Sequence, residues 1–136
     1  MASTPRRYLR SAPQFKNPTT PKPKKSSAYG VNPIHSKSSY QTSVVGGDKI
    51  VLLDCFATWC GPCKMIAPKI AQMSGEDKYK DAVDFYKLDV DEVSDVAAEL
   101  EIRAMPTFLV FKNGEKVEEV VGANEKAIRA ALDKHL

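Results

Sequence analysis

Two thiols stand three residues apart in "WCGPC", Trp59 to Cys63, directly behind the apolar run "IVLLDCFA" at residues 50–57. Such a pair can belong to a metal site, a structural disulfide or a dithiol that exchanges with other disulfides. A structural zinc site needs four ligands, usually two cysteine pairs or a cysteine pair with a histidine pair. This chain has no second pair: His35 and His135 stand alone at opposite ends, and Cys55 falls inside the apolar run, where a thiol serves as a small hydrophobe. A permanent Cys60-Cys63 bridge would close a loop too small to constrain the unfolded chain much. Redox exchange is favoured over both. A Cys-x-x-Cys that opens a helix sets its first thiol beside unpaired backbone N–H groups and the positive helix end, which stabilise the thiolate. Residues three apart share a helix face, so the two sulfurs can bond. Pro62 suits the first turn, where no N–H is required.

These residues must be held by the elements around them. "IVLLDCFA" is apolar on both faces and reads as a central, parallel strand. "CGPCKMIAPKIAQMSG", residues 60–75, reads as a helix with an internal kink at Pro68 and Gly75 past its end. Upstream, a short strand over residues 32–35 leads into a helix started by Ser36 and running to about Val45, with Tyr40 and Val44 on one side. Downstream, "VDFYKLDV" is a strand and "SDVAAEL" a short helix capped by Ser94. "TFLVF" and "KVEEVV" are strands flanking "KNGE", where Asn113-Gly114 is the strongest short hairpin signal available. Asn124 caps a last helix to about His135. The order β-α-β-α-β-α-β-β-α predicts an α/β fold: a central mixed β-sheet flanked by helices on both faces.

Composition bounds the function. With 136 residues there is room for one domain and a tail. Three cysteines are too few for the framework of a small secreted domain. No apolar run approaches the ~20 residues of a membrane helix, and the N-terminus lacks the apolar block of a secretory signal, so an intracellular protein with no membrane partner is expected. The net charge of +3 averages two unlike segments. Residues 1–47 hold eight basic residues and no acid; residues 48–136 hold twelve basic against seventeen acidic, a net of −5. Six of the nine prolines lie in the first 33 residues, and pieces such as "PTTPKPKKSS" cannot bury enough apolar surface to offset the entropy of ordering. Residues 1–29 therefore read as a disordered or removable basic extension, and residues 30–136 as the domain.

Four blocks in order, "VLLDCFAT" running into "WCGPCK", then "AMPTF", "FKNGE" and "VVGAN", make the chain resemble the thioredoxin family, most closely its fungal members. The resemblance spans about residues 30–136 and implies a thioredoxin fold. It implies Cys60 as the attacking thiolate and Cys63 as the buried resolving thiol. Asp54 matches the family's buried acid, which accepts the resolving cysteine's proton through water. The residues alone offer a separate argument for Asp54: a carboxylate desolvated in an apolar strand has a raised pKa, as a general base near neutral pH requires. The alternative is a core acid satisfied by hydrogen bonds. Lys87 matches the family's buried lysine that tempers the acid, whereas its spacing alone reads as a surface lysine on a half-exposed strand.

Met105-Pro106 matches the family's cis-proline facing the two cysteines, a reversal of the usual trans preference. Met105 backbone would then pair with an extended target peptide. Trp59, Gly61, Pro62, Met105, Pro106, Gly122 and Ala123 would form a shallow apolar docking surface around it. Trp59 could instead be a core aromatic, though its place at a strand end beside Thr58 favours exposure. Phe56 and Cys55 depart from the bacterial members of the family, as do Glu101 and Ala104, which replace frequent glycines.

The resemblance implies a general protein disulfide reductase acting on oxidised target proteins and reduced again by an NADPH-dependent thioredoxin reductase, with no cofactor or metal of its own and as a monomer. Gly61-Pro62 resembles reducing members; an oxidase or isomerase is the enzymatic alternative, and a thiol-switched binding subunit without turnover the alternative of another class. The tail "MASTPRRYLRSAPQF" fits the composition of a mitochondrial transit peptide, though its prolines argue against an amphipathic helix. It reads equally as a plain extension, leaving a cytoplasmic or mitochondrial location. Nucleic-acid contact is disfavoured, since no aromatics interleave the lysines.

Overall fold

The computed structural model describes residues 30–136; the expectations for residues 1–29 lie outside the described residues. β2 (Ile50–Phe56), apolar on both faces but for Asp54, runs through the middle of a five-stranded sheet. It is parallel to β3 (Val83–Asp89) on one side and antiparallel to β4 (Thr107–Lys112) on the other. β1 (Val31–Ile34), which contains Pro33, forms one edge beside β3; β5 (Glu115–Val121) forms the other beside β4, giving the order β1-β3-β2-β4-β5. The mixed sheet and its element order follow the expectation.

Residue alternation along β2 divides the core in two. Ile50 and Leu52 face a cluster with Ile66, Ile70 and Met73 of α2 (Gly61–Ser74) and Ile128 and Leu132 of α4 (Glu125–Asp133). Val51, Leu53 and Cys55 face the other cluster, with Tyr40 of α1 (Lys37–Tyr40), Val44, and Val96 of α3 (Ser94–Glu99). The buried positions of α2, at Cys63, Ile66, Ile70 and Met73, fall on one helical stripe, and the helix continues through Pro68 on its exposed side.

The N-terminal region departs from expectation in detail. β1 lies one residue earlier than residues 32–35, and the helix capped by Ser36 is α-helical for only four residues before widening into a π-helical segment, Gln41–Val45. Tyr40 and Val44 are both buried, as their spacing predicts. Ser94 is not a cap: Val93 holds that position without a side-chain bond, while Asp95 accepts a hydrogen bond from the Val96 N–H at 2.8 Å. Asn124 does cap α4, its Oδ1 accepting from the Ala127 N–H at 3.1 Å, and that helix ends at Asp133. At the β4–β5 turn Asn113 (φ 55°) and Gly114 (φ 81°) are both left-handed, as a tight hairpin demands. A Cβ on Gly114 would stand 2.5 Å from the Val45 carbonyl oxygen, so this turn presses on the end of the π-helical segment with no space for a side chain. Arg129 of α4 clamps Glu76 through two bonds of 2.8 and 2.9 Å and Glu125 through a third of 3.0 Å, tying α4 to the loop after α2.

Candidate active site

The C-terminal end of β2 delivers the chain into α2 through Ala57, Thr58 and Trp59. Cys60 stays extended (φ −90°, ψ 114°) as the residue before the first helical turn, its N–H donating to the Ala57 carbonyl at 3.2 Å. Its Sγ accepts the Cys63 N–H at 3.1 Å, which occupies one of the helix's otherwise unpaired donors. Cys60 and Cys63 are joined as a disulfide with their Cα atoms 5.3 Å apart. A helix N-terminus that already donates to sulfur also stabilises the thiolate left when that bond is reduced. One expectation changes here. Cys60 is no more accessible than Cys63, at 6 % and 5 % exposed, because Ala57, Phe56, Val90 and Met105 pack around both. In the disulfide form what distinguishes the two is position on the helix, not exposure.

Opposite the pair, the Met105-Pro106 peptide is cis, with the Met105 carbonyl oxygen 3.7 Å from Cys60 Sγ. Met105 precedes the first residue of the β4–β5 and β2–β4 ladders, so its backbone lies outside the sheet pairing. Gly122, left-handed at φ 104°, donates its N–H to the Pro106 carbonyl at 2.8 Å and so brings the segment after β5 beside the proline. Trp59 is 67 % exposed, not a core aromatic. Gly61, Pro62 and Ala123 are exposed, Met105 and Gly122 half-buried and Pro106 buried. The residues expected to form a docking surface thus lie around the disulfide, Pro106 buried and the others at least partly exposed. The sequence reading missed Asp91. Its Oδ2 accepts the Trp59 indole N–H at 2.9 Å, a contact across 32 residues that leaves no local pattern in the sequence.

Asp54, in step with Ile50 and Leu52 along β2, lies on the α2 face of the strand and is 6 % exposed. Its Oδ1 has no hydrogen-bond partner among the described residues, so at least one of its buried oxygens is left unsatisfied by protein donors. Burial pushes its pKa from 3.8 up to about 7, against the opposing pull of Lys87. Lys87 stands directly across from Asp54 in the β2–β3 register. It is exposed, correcting the buried lysine that the resemblance implies and agreeing with the reading from spacing. Its ammonium reaches water while its charge still acts on the acid. Cys55, the remaining cysteine, is wholly buried on the opposite face, where burial raises its thiol pKa far above the ordinary range. Among the described residues no group of three or more His, Cys, Asp or Glu could hold a metal ion, and no helix is long and apolar enough to cross a membrane.

Comparison with known proteins agrees with this arrangement. The sequence profile of the thioredoxin family matches residues 31–134. Thioredoxin-2 of Saccharomyces cerevisiae is 53 % identical over 102 residues, 75 % of this chain and 95 % of that protein. The crystal structure of Malassezia sympodialis thioredoxin superposes with a TM-score of 0.73 at 50 % identity, covering 78 % of this chain and 90 % of that one. Mitochondrial thioredoxin 3 of Saccharomyces cerevisiae, in its oxidised form, superposes with a TM-score of 0.70 at 33 % identity, over 79 % and 99 % of the two chains.

Proposed function

Because the chain belongs to the thioredoxin family and is a thiol-disulfide oxidoreductase whose exchanging pair is Cys60 and Cys63, we propose that it works as a general protein disulfide reductase. The observation that carries this reading is the Cys60-Cys63 disulfide at the start of α2, on the same side of the sheet as Asp54, a buried carboxyl with an unpartnered Oδ1 whose pKa of about 7 lets it take up and give back a proton near neutral pH. In the reduced protein the Cys60 thiolate attacks one sulfur of a target disulfide. A mixed disulfide forms and the target's other sulfur leaves as a thiolate. The Cys63 thiol then loses its proton to Asp54 and attacks Cys60 Sγ, which releases the second target sulfur and closes the Cys60-Cys63 bond. Two electrons pass from the dithiol to the target. They are restored by a thioredoxin reductase drawing on NADPH, the family's usual partner, and no step calls on a cofactor held by this chain.

The target is held as an extended strand along the backbone of Met105, over Pro106 and between Trp59, Gly61 and Pro62 on one side and Gly122 and Ala123 on the other. Lys87 sets how readily Asp54 ionises. A cytoplasmic or mitochondrial location goes with this reading, one of the solved relatives being a mitochondrial thioredoxin. The deciding measurement is multiple-turnover reduction of insulin with dithiothreitol as electron source. The protein should accelerate it well above the dithiothreitol background and the Cys60→Ser variant should not; equal rates for the two would reject the reading.

A further inference from the structure

Trp59 presents a large apolar ring to solvent beside the disulfide, 67 % exposed, so that packing can do little to fix it. Here one bond fixes it. The indole N–H donates to Asp91 Oδ2 at 2.9 Å, a charge-assisted contact. Asp91 is itself fixed: its N–H donates to Asp89 Oδ1 at 2.9 Å, and the N–H groups of Glu92 and Val93 close on the Asp89 carbonyl at 3.1 and 2.9 Å. The same loop is fastened to the base of the tryptophan, since the Val90 N–H donates to the carbonyl of Phe56, the last residue of β2. Glu92, the other carboxylate at the tip, is occupied by His35 at 3.0 Å. The loop therefore aims one carboxylate at Trp59 from a foundation that Trp59 shares.

We propose that Asp91 is a positioning residue for protein substrates, holding the Trp59 ring in the orientation against which an extended target docks. It touches neither target nor sulfur in this role and acts through the ring alone. The inference rests on Trp59 being part of the docking surface. Its consequence is selective: reduction of a folded protein's disulfide, which needs the surface, depends on Asp91, while reduction of a small disulfide that needs only Cys60 does not.

The test uses the prereduced full chain in single-turnover reactions with insulin and with the small disulfide DTNB. Fluorescence anisotropy of Trp59 is read alongside, this being the chain's only tryptophan. Asp91→Ala should lower the insulin rate constant about threefold to tenfold, leave the DTNB rate within about twofold, and lower the anisotropy as the ring is released. Asp91→Asn keeps an acceptor oxygen without the charge and should recover most of the insulin rate and the anisotropy. Trp59→Ala separates the possible failures. If Trp59→Ala slows insulin and Asp91→Ala does not, positioning is overturned while the docking surface stands. If Trp59→Ala leaves insulin reduction unchanged, the docking role of Trp59 and the inference fall together. Equal slowing of insulin and DTNB by Asp91→Ala, or an Asn variant as slow as the Ala variant, would also overturn it.

Discussion

Asp54 and Cys55 are consecutive residues of one strand, both buried, and burial raises the pKa of both. Their surroundings differ because the pleat sends them to opposite faces. Asp54 lies on the side of α2, whose first turn carries the redox pair, and a cation stands across from it in the register. Cys55 lies among Leu53, Leu88 and Leu109 on the side of α1 and α3, with the sheet between it and the disulfide. For Cys55 desolvation, reinforced by the negative charges of Asp54 and Glu119, leaves the thiol inert. On the proposed mechanism Asp54 differs in having a thiol with which to exchange its proton and a lysine charge that keeps its pKa within reach of neutrality.

The sharpest break in that comparison is to move the chemistry between faces. Cys60→Ser should lower insulin reduction by at least about a thousandfold, because the nucleophile is gone. Cys63→Ser should accumulate a mixed disulfide through Cys60, seen by non-reducing electrophoresis and mass mapping. Trapping through Cys55 in either variant would show that the sheet does not insulate the two faces.

Asp54→Asn comes next. It should slow reduction by about a hundredfold near and below neutral pH, the scale of a lost general base. Its effect on folding has the opposite sense. With the folded pKa raised, the unfolded chain releases its proton first, so Asp54 lowers stability as pH climbs from about 4 to about 7. Removing the charge should stabilise the protein at pH 7 by something on the order of 3 kcal/mol and flatten that part of the pH-stability curve, measurable by urea unfolding at several pH values. A destabilised variant with unchanged kinetics would reduce Asp54 to a core residue.

Cys55→Ser should do the reverse: about 1 to 3 kcal/mol of stability lost to an unpaired hydroxyl in an apolar cluster, read from the urea midpoint, with the turnover rate retained. The smallest effect is expected of Lys87→Met. Without its charge the pKa of Asp54 moves further up, since Lys87 now lowers it. The pH-rate profile should move to the alkaline side by a fraction of its width while the maximal rate holds.

What the sequence disclosed, and what it hid, follows from how local each signal is. β2, α2 and the β4–β5 hairpin carry their own evidence in an unbroken apolar run, a helical stripe and an Asn-Gly pair, and all three stand where expected. Asp54 betrays itself as the one charge in "IVLLDCFA". The π-helical widening at Gln41–Val45 has no propensity signature, being fitted instead against the hairpin turn at Gly114. Glu101, noted as replacing a glycine, does adopt the left-handed conformation (φ 57°) that a glycine would take more easily. Lys87 shows the limit of carrying a role over by resemblance: its register opposite Asp54 holds, its burial does not. The Asp91-Trp59 bond was invisible because nothing in a chain announces which side chains meet 32 residues apart.

The two edges of the sheet bear on how the molecule behaves among its own copies. An open strand is a template for another chain, and crowded, partly unfolded proteins join along such rows of free N–H and C=O groups. β1 is four residues long and has Pro33 within it, a residue with no N–H to offer a newcomer. β5 is longer, but Glu115, Lys116, Glu118 and Glu119 make four of its seven positions charged, three of them negative. A second β5 laid alongside would set those acids against each other. Each end of the sheet therefore resists growth by a different means, one by withholding a donor and the other by repulsion, and that is a brake on fibre formation written into the backbone at one edge and the side chains at the other.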